Sequence, residues 1–258
     1  MKLNKFIMQK NKMKRIISIQ VIATLLALAI CSCEKDVTTD GTGRSVDLRR
    51  DLALYINFDN NNCIDISGNG FDGAPVGDVQ YVADTPNGMG KAISIDGTDR
   101  QFVNIPYTII KDSINFSVSL WAKDFGTGTL FSSINGNYAQ APTFFVTSNT
   151  SPRIYYYGGS YEKFSFPLES YQSSGWHMIT ITAAGKIGEL NLYVDAQKVD
   201  SKNVGNCEPR GNKMQIGGNA DNYFDTWADP MLIDNFRVYR RCLSEKEIRE
   251  LLRFMLTH

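Results

Sequence analysis

Apolar and polar residues alternate with a period of two along most of the chain between residues 51 and 239. In the segment 114–122, every second residue is apolar, and these residues form one face of the segment. The segments 176–182 and 189–195 repeat the alternation, and clusters of Gly, Asn, Asp and Pro separate such segments. Successive side chains of a strand point to opposite faces, so we expect each segment to bury one face. The pattern predicts an all-β fold of two antiparallel sheets packed face to face.

A different periodicity marks the end of the chain. Ser244 is followed three residues later by Glu247, the spacing at which two side chains cap the start of a helix reciprocally. This pattern predicts one short C-terminal helix, whose apolar stripe we expect to pack on the rim or edge of the sandwich. The stripe consists of Ile248, Leu251, Leu252 and Met255.

Residues 1–32 have the composition of a signal peptide. Six basic residues and no acid occupy positions 2–15, and a largely apolar run of 15 residues follows from residue 16 to residue 30. A helix of that length rises only about 22 Å, which is less than the roughly 30 Å hydrocarbon core of a bilayer. The run is therefore too short for a membrane span and is typical of an export signal.

The segment ICSC at 30–33 resembles the cleavage site of bacterial lipoproteins, in which the new N-terminal cysteine carries lipid. Cys33 fits best, because two small residues precede it, whereas bulky Ile30 precedes Cys31. An ordinary secreted protein cleaved near Ser32 is the alternative. The following EKD at 34–36 resembles the acidic tag of Bacteroidetes lipoproteins on the outer face of the outer membrane. The resemblance implies an exported protein that is lipid-anchored there and faces the cell exterior.

Removal of the signal changes the charge of the protein. The full chain has 27 basic and 27 acidic residues, and the signal contains six of the basic ones. The mature chain keeps 21 basic against 27 acidic residues, a net charge of −6. A mildly acidic chain lacks the basic surface that nucleic-acid binding requires, so we expect no nucleic-acid partner. Contact with the membrane is then expected through the lipid alone.

The mature chain divides into two parts by composition. Residues 33–50 are polar and show no hydrophobic periodicity, which predicts a lipidated cysteine followed by a flexible tether. Residues 51–258 are long enough for one large β domain. Three cysteines lie in it: Cys63, Cys207 and Cys242. Export permits a disulfide, and an odd count leaves at least one thiol free or paired with another chain. We favour their burial as small apolar residues.

Short motifs in a fixed order extend over the whole predicted domain. Together they resemble the laminin-G-like (LamG) domains of the concanavalin A-like lectin/glucanase superfamily, with Ile95 where Phe is usual and Ala196 where Gly is usual. The resemblance implies a jelly-roll sandwich of two antiparallel sheets. The motifs are LYINFD at 54–59, DISGNGFDG at 65–73, KAISIDG at 91–97, FSVSLW at 116–121, WH at 176–177, LYVD at 192–195, and IDNFRVY at 233–239 followed by LS and EI.

The loop at residues 65–70 suggests a calcium site. Asp65 and Asn69 place side-chain oxygens at alternate positions before a glycine, as in the first half of an EF-hand loop, but no acid occupies the twelfth position. Further ligands would come from Asp234 and from Asp59 at the end of the first strand. Asp234 alternates with Leu232, Phe236 and Val238 in the last strand, so we expect it to share their apolar face, where a carboxylate needs a partner or a metal. The resemblance implies one structural calcium ion near these residues. The alternative is an Asx-turn in which Asp65 and Asn69 bond their own backbone.

Catalysis has weak support in the sequence. Retaining glycosidases need two carboxyl groups about 5 Å apart, and no strand carries acids at alternate positions as the related glucanases do. Asp195 stands alone on its strand, and Glu162 and Glu169 lie in loop-like stretches. His177 alternates with apolar residues, which favours a packed side chain over a general base. We therefore expect a protein that is not an enzyme.

Two segments combine aromatic rings with amide and carboxylate groups, the mixture that binds sugars. Loops on a rigid scaffold often carry such residues. The first segment contains Tyr155, Tyr157 and Tyr161. The second contains Asn222, Tyr223, Asp225 and Trp227. The alternative is that Trp227 folds over the sandwich edge and that the tyrosines form an ordinary strand face.

These observations favour a non-catalytic surface lipoprotein that binds a polysaccharide or a host oligosaccharide. A protein-binding or adhesive module that uses the same loops is the second hypothesis. A glycoside hydrolase with an unfamiliar pair of carboxylates is the third. The fold does not decide among them, because function depends on the residues of the site.

Overall fold

Seventeen strands and one helix make up the part of the chain that the computed structural model describes. That part comprises residues 37–39, 43, 45–97, 100–105, 109, 115–125, 129–134, 145–147, 153–157, 161–165, 175–184, 188–203, 213–218 and 230–257. Among these residues, no helix has the length and apolarity of a membrane span. The predicted signal and Cys33 lie outside the described residues.

The elements follow one another in this order: β1 (Val37–Thr39), β2 (Ser45–Asp47), β3 (Leu52–Ile56), β4 (Ala74–Val76), β5 (Gln80–Val82), β6 (Ala92–Ile95), β7 (Phe102–Ile105), β8 (Asn115–Lys123), β9 (Phe131–Ile134), β10 (Phe145–Thr147), β11 (Arg153–Tyr157), β12 (Tyr161–Ser165), β13 (His177–Ala184), β14 (Glu189–Val194), β15 (Gln197–Asn203), β16 (Lys213–Ile216), β17 (Met231–Tyr239) and α1 (Glu245–Thr257).

Two antiparallel sheets form the sandwich. The eight-stranded sheet has the order β15-β14-β13-β8-β17-β6-β5, and β3 joins it by pairing with β17. Both β3 and β6 pair with β17, β6 along residues 231–233 and β3 along residues 236–239. The four-stranded sheet has the order β4-β7-β16-β9. Smaller pairings link β1 to β2 and join β10, β11 and β12. The predicted all-β jelly-roll sandwich with a C-terminal helix is confirmed.

The main hydrophobic core lies between the two sheets. The alternation seen in the sequence explains it, because the apolar face of each strand turns inward. Strand β8 contributes four inward residues that are at most 1% exposed, and β7 and β16 contribute the facing layer. The edge-to-face contact of Phe131 and Phe236, with ring centroids 5.8 Å apart, belongs to the same core. The β8 residues are Phe116, Val118, Leu120 and Ala122.

A second apolar cluster lies on the outer face of the eight-stranded sheet. Trp121, Met178, Tyr193 and Tyr239 point outward from this sheet, and the buried residues of α1 pack with them. The expected position of the helix on the rim or edge of the sandwich is therefore wrong, because these outward residues are apolar and need a cover. The helix start agrees with the prediction: Ser244 N–H donates to Glu247 Oε2 (2.9 Å), and Glu247 N–H donates to Ser244 Oγ (3.3 Å).

The predicted tether is folded over part of its length. Strand β2 lies within residues 33–50, and Val46 and Leu48 are buried in the outer cluster with α1. Leu48 is 0% exposed. The prediction of a flexible segment up to residue 50 is wrong for residues 45–50, because two apolar side chains there find an apolar surface to cover.

A bulge in β17 changes the face of Asp234. Ile233 and Phe236 both point into the main core although they are three residues apart. The register against β8 shifts between Asp234 and Arg237, and Asn235 has a φ of 51°. The extra residue places Asp234 on the outer face, in register with Trp121. The expectation that Asp234 shares a face with Phe236 is therefore wrong.

Candidate functional site

The loop that follows β3 is closed by its own side chains. Asp65 Oδ1 accepts N–H groups from Tyr55 (3.0 Å) and Ser67 (2.9 Å), and Asp65 Oδ2 accepts the N–H of Phe71 (3.0 Å). Asp72 Oδ1 accepts the N–H of Asp65 itself (2.8 Å). Asp65 is only 6% exposed, so these bonds replace the water that its carboxylate loses. The arrangement matches the Asx-turn alternative for this residue.

Asn69 braces the same loop against the sandwich. Its Nδ2 donates to the carbonyls of Leu52 (2.9 Å) and Ala53 (3.1 Å), which belong to β3. The amide also donates to Ser67 Oγ (3.0 Å). Asp65 and Asn69 thus hold the loop through existing hydrogen bonds, and neither side chain needs a metal ion to explain its position.

Asp59, which follows β3, and Asp234, which lies within β17, are close enough to interact electrostatically. Burial, and to a smaller extent the nearby charge of Asp59, raises the pKa of the Asp234 carboxyl to about 8. Asp234 Oδ1 accepts the N–H of Asn235 (2.6 Å), and Asp59 Oδ1 accepts the N–H of Lys91 (3.0 Å). Gly90 lies against Asp59, where a Cβ would come within 1.9 Å of Oδ1. The chain therefore brings its backbone close around the Asp59 carboxylate.

The four predicted calcium ligands thus divide into two pairs. One pair lies in the self-bonded loop, and the other combines a buried acid with an exposed one. Within the described ranges, no three His, Cys, Asp or Glu side chains converge in a way that could hold a metal ion. A calcium ion near Asp59 and Asp234 would need neutral oxygens to complete its shell. Calcium binding stays a prediction.

The predicted sugar-binding segments are described only in part. Strands β11 and β12 form a hairpin in which Tyr157 pairs with Tyr161 and Tyr155 pairs with Lys163. Glu162 lies in β12 and not in a loop, because the segment pairs along its whole length. The second segment, with Asn222, Tyr223, Asp225 and Trp227, lies outside the described residues. Sugar binding by either segment stays a prediction.

His177 belongs to a polar group at the start of β13. Its Nδ1 lies 2.6 Å from Asp195 Oδ2, and Asp195 Oδ1 accepts the N–H of Met178 (2.9 Å). Next to it, Trp176 Nε1 donates to Asp84 Oδ1 (2.9 Å). Asp195, in the turn between β14 and β15, thus ties that turn to the start of β13 through bonds on both oxygens, which explains its position structurally.

Two of the predicted buried cysteines are described, and both are free thiols. Cys63 is buried and lies 3.4 Å from the Tyr81 hydroxyl. Burial raises the pKa of the Cys63 thiol, which keeps it in the unreactive protonated form. Cys242 is half-buried and donates to the carbonyl of Ala183 (3.1 Å). Cys207 lies outside the described residues.

A polar row crosses the outer face of the four-stranded sheet, and the sequence did not reveal it. Asn104 of β7 pairs with Gln215 of β16, which pairs with Ser132 of β9. Their chain neighbours point into the core, so these three side chains point outward. Phe102 lies two residues before Asn104 on the same face and is half-buried. No apolar cluster of the described residues covers this face.

The sequence contains a local pattern for each residue of the polar row, but the patterns lie in separate segments of the chain. Each of its strands shows one polar residue between two apolar ones, as in VNI at 103–105 and MQI at 214–216. The three residues are far apart in sequence, and only the strand order brings them together. The sequence gives no direct indication of that order.

Comparison with solved structures shows the same fold in several binding domains. Domain 4 of AbnA, a GH43 extracellular arabinanase from Geobacillus stearothermophilus solved with arabinotriose, is 20% identical with a TM-score of 0.59. The match covers 78% of this chain and 98% of that domain. The binding domain of Paraclostridial Mosquitocidal Protein 1 is 18% identical with a TM-score of 0.63, over 80% of this chain and 52% of the domain.

The receptor-binding domain of botulinum neurotoxin C/D mosaic serotype is similar at 20% identity and a TM-score of 0.60. The match covers 79% of this chain and 51% of that domain, so the chain spans about half the length of either toxin domain. No curated protein sequence matches the chain significantly. At these identities the likenesses concern the fold.

A match to a protein-family model shows which family the chain belongs to. The model described as the concanavalin A-like lectin/glucanases superfamily matches residues 96–249, which is more than half of the chain. The matched region begins in the KAISIDG motif and ends within α1. The motifs, the two antiparallel sheets and this match agree. The chain belongs to the laminin-G-type branch of the concanavalin A-like lectin/glucanase superfamily.

Proposed function

We propose that this protein is a non-catalytic glycan-binding module, displayed on the outer membrane by lipid on Cys33. One observation carries the proposal. The arabinanase domain solved with arabinotriose is matched over 98% of its length, so the whole of that small domain corresponds to this fold. A single sandwich of this kind therefore suits the task of holding a sugar chain.

The roles of the described acids support a module without catalysis. Asp65 is bonded to the loop that it closes, and Asp195 ties the turn after β14 to the start of β13. Asp84 pairs with Lys123 and Trp176 at the surface, and Lys123 lowers the pKa of the Asp84 carboxyl. A general acid needs a raised pKa next to an ionised partner in an open cleft. Asp234 has a raised pKa, but its side chain is buried on the outer face of the eight-stranded sheet.

The test of sugar binding uses the mature chain from residue 33 with Cys33→Ser, which removes the lipid but keeps the rest of the protein. Affinity gels that contain neutral or acidic polysaccharides would retard the protein if it binds them. We expect retardation by at least one polysaccharide, and no release of reducing ends from it over a long incubation. A protein that migrates freely in every gel while fully folded would overturn the proposal.

Calcium is the proposed structural ion, held by Asp59 and Asp234 together with neutral oxygens. The buried Asp234 carboxyl beside a second acid is a group that a hard divalent cation would stabilise. Calcium addition to chelator-treated protein should raise the unfolding temperature, and Asp234→Asn should remove most of this increase. An equal increase in both proteins would place the ion elsewhere.

Lipid anchoring is proposed from the sequence around Cys33. Cells that express the full chain should incorporate labelled palmitate into the protein, and Cys33→Ala should abolish the incorporation whereas Cys31→Ala should not. Protease added to intact cells should remove the protein if it faces the exterior. Labelling that depends on Cys31 would move the cleavage site.

A protein-binding module is the second candidate. The toxin domains of this fold are described as binding or receptor-binding domains, which favours it. A protein partner captured from host or bacterial surfaces, and not released by any sugar that retards the protein, would support this candidate over glycan capture.

A further inference from the structure

The folded domain begins only a few residues after the predicted lipid anchor. Strand β1 starts at Val37 and is paired with β2, so that Val37 is in register with Asp47 and Thr38 with Val46. The chain from Cys33 to Val37 therefore spans four residues, which reach at most about 14 Å when fully extended. A flexible tether over the whole of residues 33–50 would instead reach about 60 Å.

Strands β1 and β2 join the domain on the side where α1 packs. Leu48 is 0% exposed and lies in the outer cluster with the buried residues of α1. Val37 is opposite Asp47, the residue before Leu48, and paired strands lie only about 5 Å apart. Arg50 then donates from its Nη2 to Glu247 Oε1 of α1 (3.0 Å). The chain from the anchor thus enters the domain beside α1, on the outer face of the eight-stranded sheet.

We propose that the α1 surface, formed by residues 45–51 and 240–257, lies against the membrane and is held there by the four-residue connection to the lipid on Cys33. The inference rests on the lipid anchor proposed above and adds a contact of the folded domain to the contact through the lipid. The opposite orientation would require the connection to pass α1 and both sheets, a distance of about 20 Å or more. The outer face of the four-stranded sheet therefore points away from the membrane.

The charge distribution of the mature chain fits a surface of anionic lipid headgroups. Of its 21 basic and 27 acidic residues, the α1 surface contains seven and five, which leaves 14 and 22 in the rest of the mature chain. Basic residues near an anionic bilayer are attracted to it, and acidic residues are repelled. Arg249 and Arg253 of α1 each have a side chain that is 56% exposed. The α1 surface, with a net charge of +2 against −8 elsewhere, is thus the side that such a membrane favours.

The orientation can be measured with a fluorophore on each side of the sandwich. The protein is the lipidated mature chain, purified from cells that express the full chain and reconstituted in vesicles of phosphatidylethanolamine and phosphatidylglycerol. Arg249→Cys places the fluorophore on α1, and Val76→Cys is the matched position on β4. Val76 is 38% exposed and is in register with Phe102, whose side chain points outward from the four-stranded sheet.

A phospholipid with a nitroxide on its headgroup quenches fluorophores close to the membrane surface. We expect quenching at residue 249 to exceed that at residue 76 several-fold, because residue 76 lies about 20 Å or more further from the membrane. Cys207→Ser and Cys242→Ala remove native thiols that would take up the label, whereas Cys63 is buried. Equal quenching at both positions of vesicle-bound protein, or stronger quenching at residue 76, would overturn the orientation and leave the anchor intact.

A longer connection tests whether the short tether is the cause. An insert of about twenty Gly and Ser residues between Asp36 and Val37 raises the typical reach to roughly 27 Å. The domain can then turn, so the difference in quenching between residues 249 and 76 should fall by at least about half. An unchanged difference would overturn the four-residue connection as the cause. Protein that takes up no palmitate and does not stay on the vesicles would overturn the anchor and the orientation together, whereas failure to bind polysaccharide gels would affect neither.

Discussion

The outer faces of the two sheets differ in the side chains that they carry and in what covers them. On the eight-stranded sheet, the outward side chains include Trp121, Tyr193 and Tyr239, and helix α1 lies over them. On the four-stranded sheet, the outward side chains include Asn104, Gln215 and Ser132, and no described apolar cluster forms there. Both sheets contribute their inner faces to one core. The two sheets therefore differ in these outward side chains, which are aromatic on the eight-stranded sheet and polar on the four-stranded sheet.

The comparison shows how the outward residues of a sheet decide whether its outer face adds a second core. An apolar outer face must be covered, and the cover adds a second core to the domain. On the polar face, Gln215 and Ser132 are also buried, but Asn104 and Phe102 are half-buried and join no apolar cluster of the described residues. The covered face is therefore expected to be more sensitive to substitution in stability than the half-buried positions of the polar face.

The largest expected effect is on the covered face. Leu251 of α1 is 1% exposed, so Leu251→Ala removes buried apolar volume and should cost about 3 kcal/mol of unfolding free energy. Phe102→Ala removes a larger side chain, but from a half-buried position on the polar face, and should cost about 1 kcal/mol. Urea denaturation monitored by tryptophan fluorescence measures both values. Equal losses would mean that the polar face is also part of a packed core.

A buried arginine gives the second test of the covered face. Arg237 is 1% exposed, and its guanidinium carbon lies 3.7 Å from the ring centroid of Tyr55 and 5.8 Å from that of Phe254. Its Nη2 also approaches Met255 Sδ at 3.2 Å. A desolvated cation over an aromatic face contributes about 2 kcal/mol. The contacts tie β17 and β3 to α1.

A double-mutant cycle with Arg237→Leu and Tyr55→Leu should therefore give a coupling free energy of about 2 kcal/mol in chemical denaturation. Val238→Ala combined with Tyr55→Leu serves as a control pair, because Val238 points into the main core instead. A coupling below about 0.5 kcal/mol for the Arg237 pair would mean that the arginine is held by other groups.

The unfolding free energy should also depend on pH through an acid on the outer face of the eight-stranded sheet, Asp234. The native pKa of Asp234, about 8, is well above its ordinary value of 3.8, so the native state binds this proton more tightly than the unfolded state. The stabilisation that the protonated Asp234 carboxyl provides is complete below its ordinary pKa and is lost as the pH rises through 8. The unfolding free energy should fall by no more than about 1.4 kcal/mol per pH unit.

Unfolding in chelator-containing buffer should show this loss between about pH 5 and pH 8, and Asp234→Asn should flatten the profile. The described strands of the four-stranded sheet contain no acid, so Asn104→Ala should leave the slope unchanged. Parallel profiles for the parent chain and Asp234→Asn would show that this carboxyl does not titrate differently in the native state.

Much of the main core could be predicted from the sequence, because its signals are local. The alternation in β8 and the apolar stripe of α1 each lie within a dozen residues, and the capping pair Ser244 and Glu247 is three residues apart. These features need no knowledge of the rest of the chain. The structure confirms the inward residues of β8 and the reciprocal cap.

The missed features depend on distant parts of the chain. The bulge at Asp234 and Asn235 arises where β17 changes partner from β6 to β3, and no local pattern marks it. Leu48 is one apolar residue in a polar segment, and its burial depends on an outer surface built by α1 and β8. Asn104 and Gln215 become neighbours only through the strand order. Candidate site residues of this kind are therefore harder to predict than core residues.

The smallest expected effect on stability compares two asparagines. Asn191 on the eight-stranded sheet accepts a hydrogen bond from Ser201 Oγ at 2.8 Å, so Asn191→Ala should cost about 1 kcal/mol. Asn104 on the polar row makes no side-chain hydrogen bond with the described residues, so Asn104→Ala should change stability by less than about 0.5 kcal/mol. Thermal unfolding of both variants beside the parent chain measures the difference. A loss of more than about 1 kcal/mol for Asn104→Ala would mean that this amide has a structural partner.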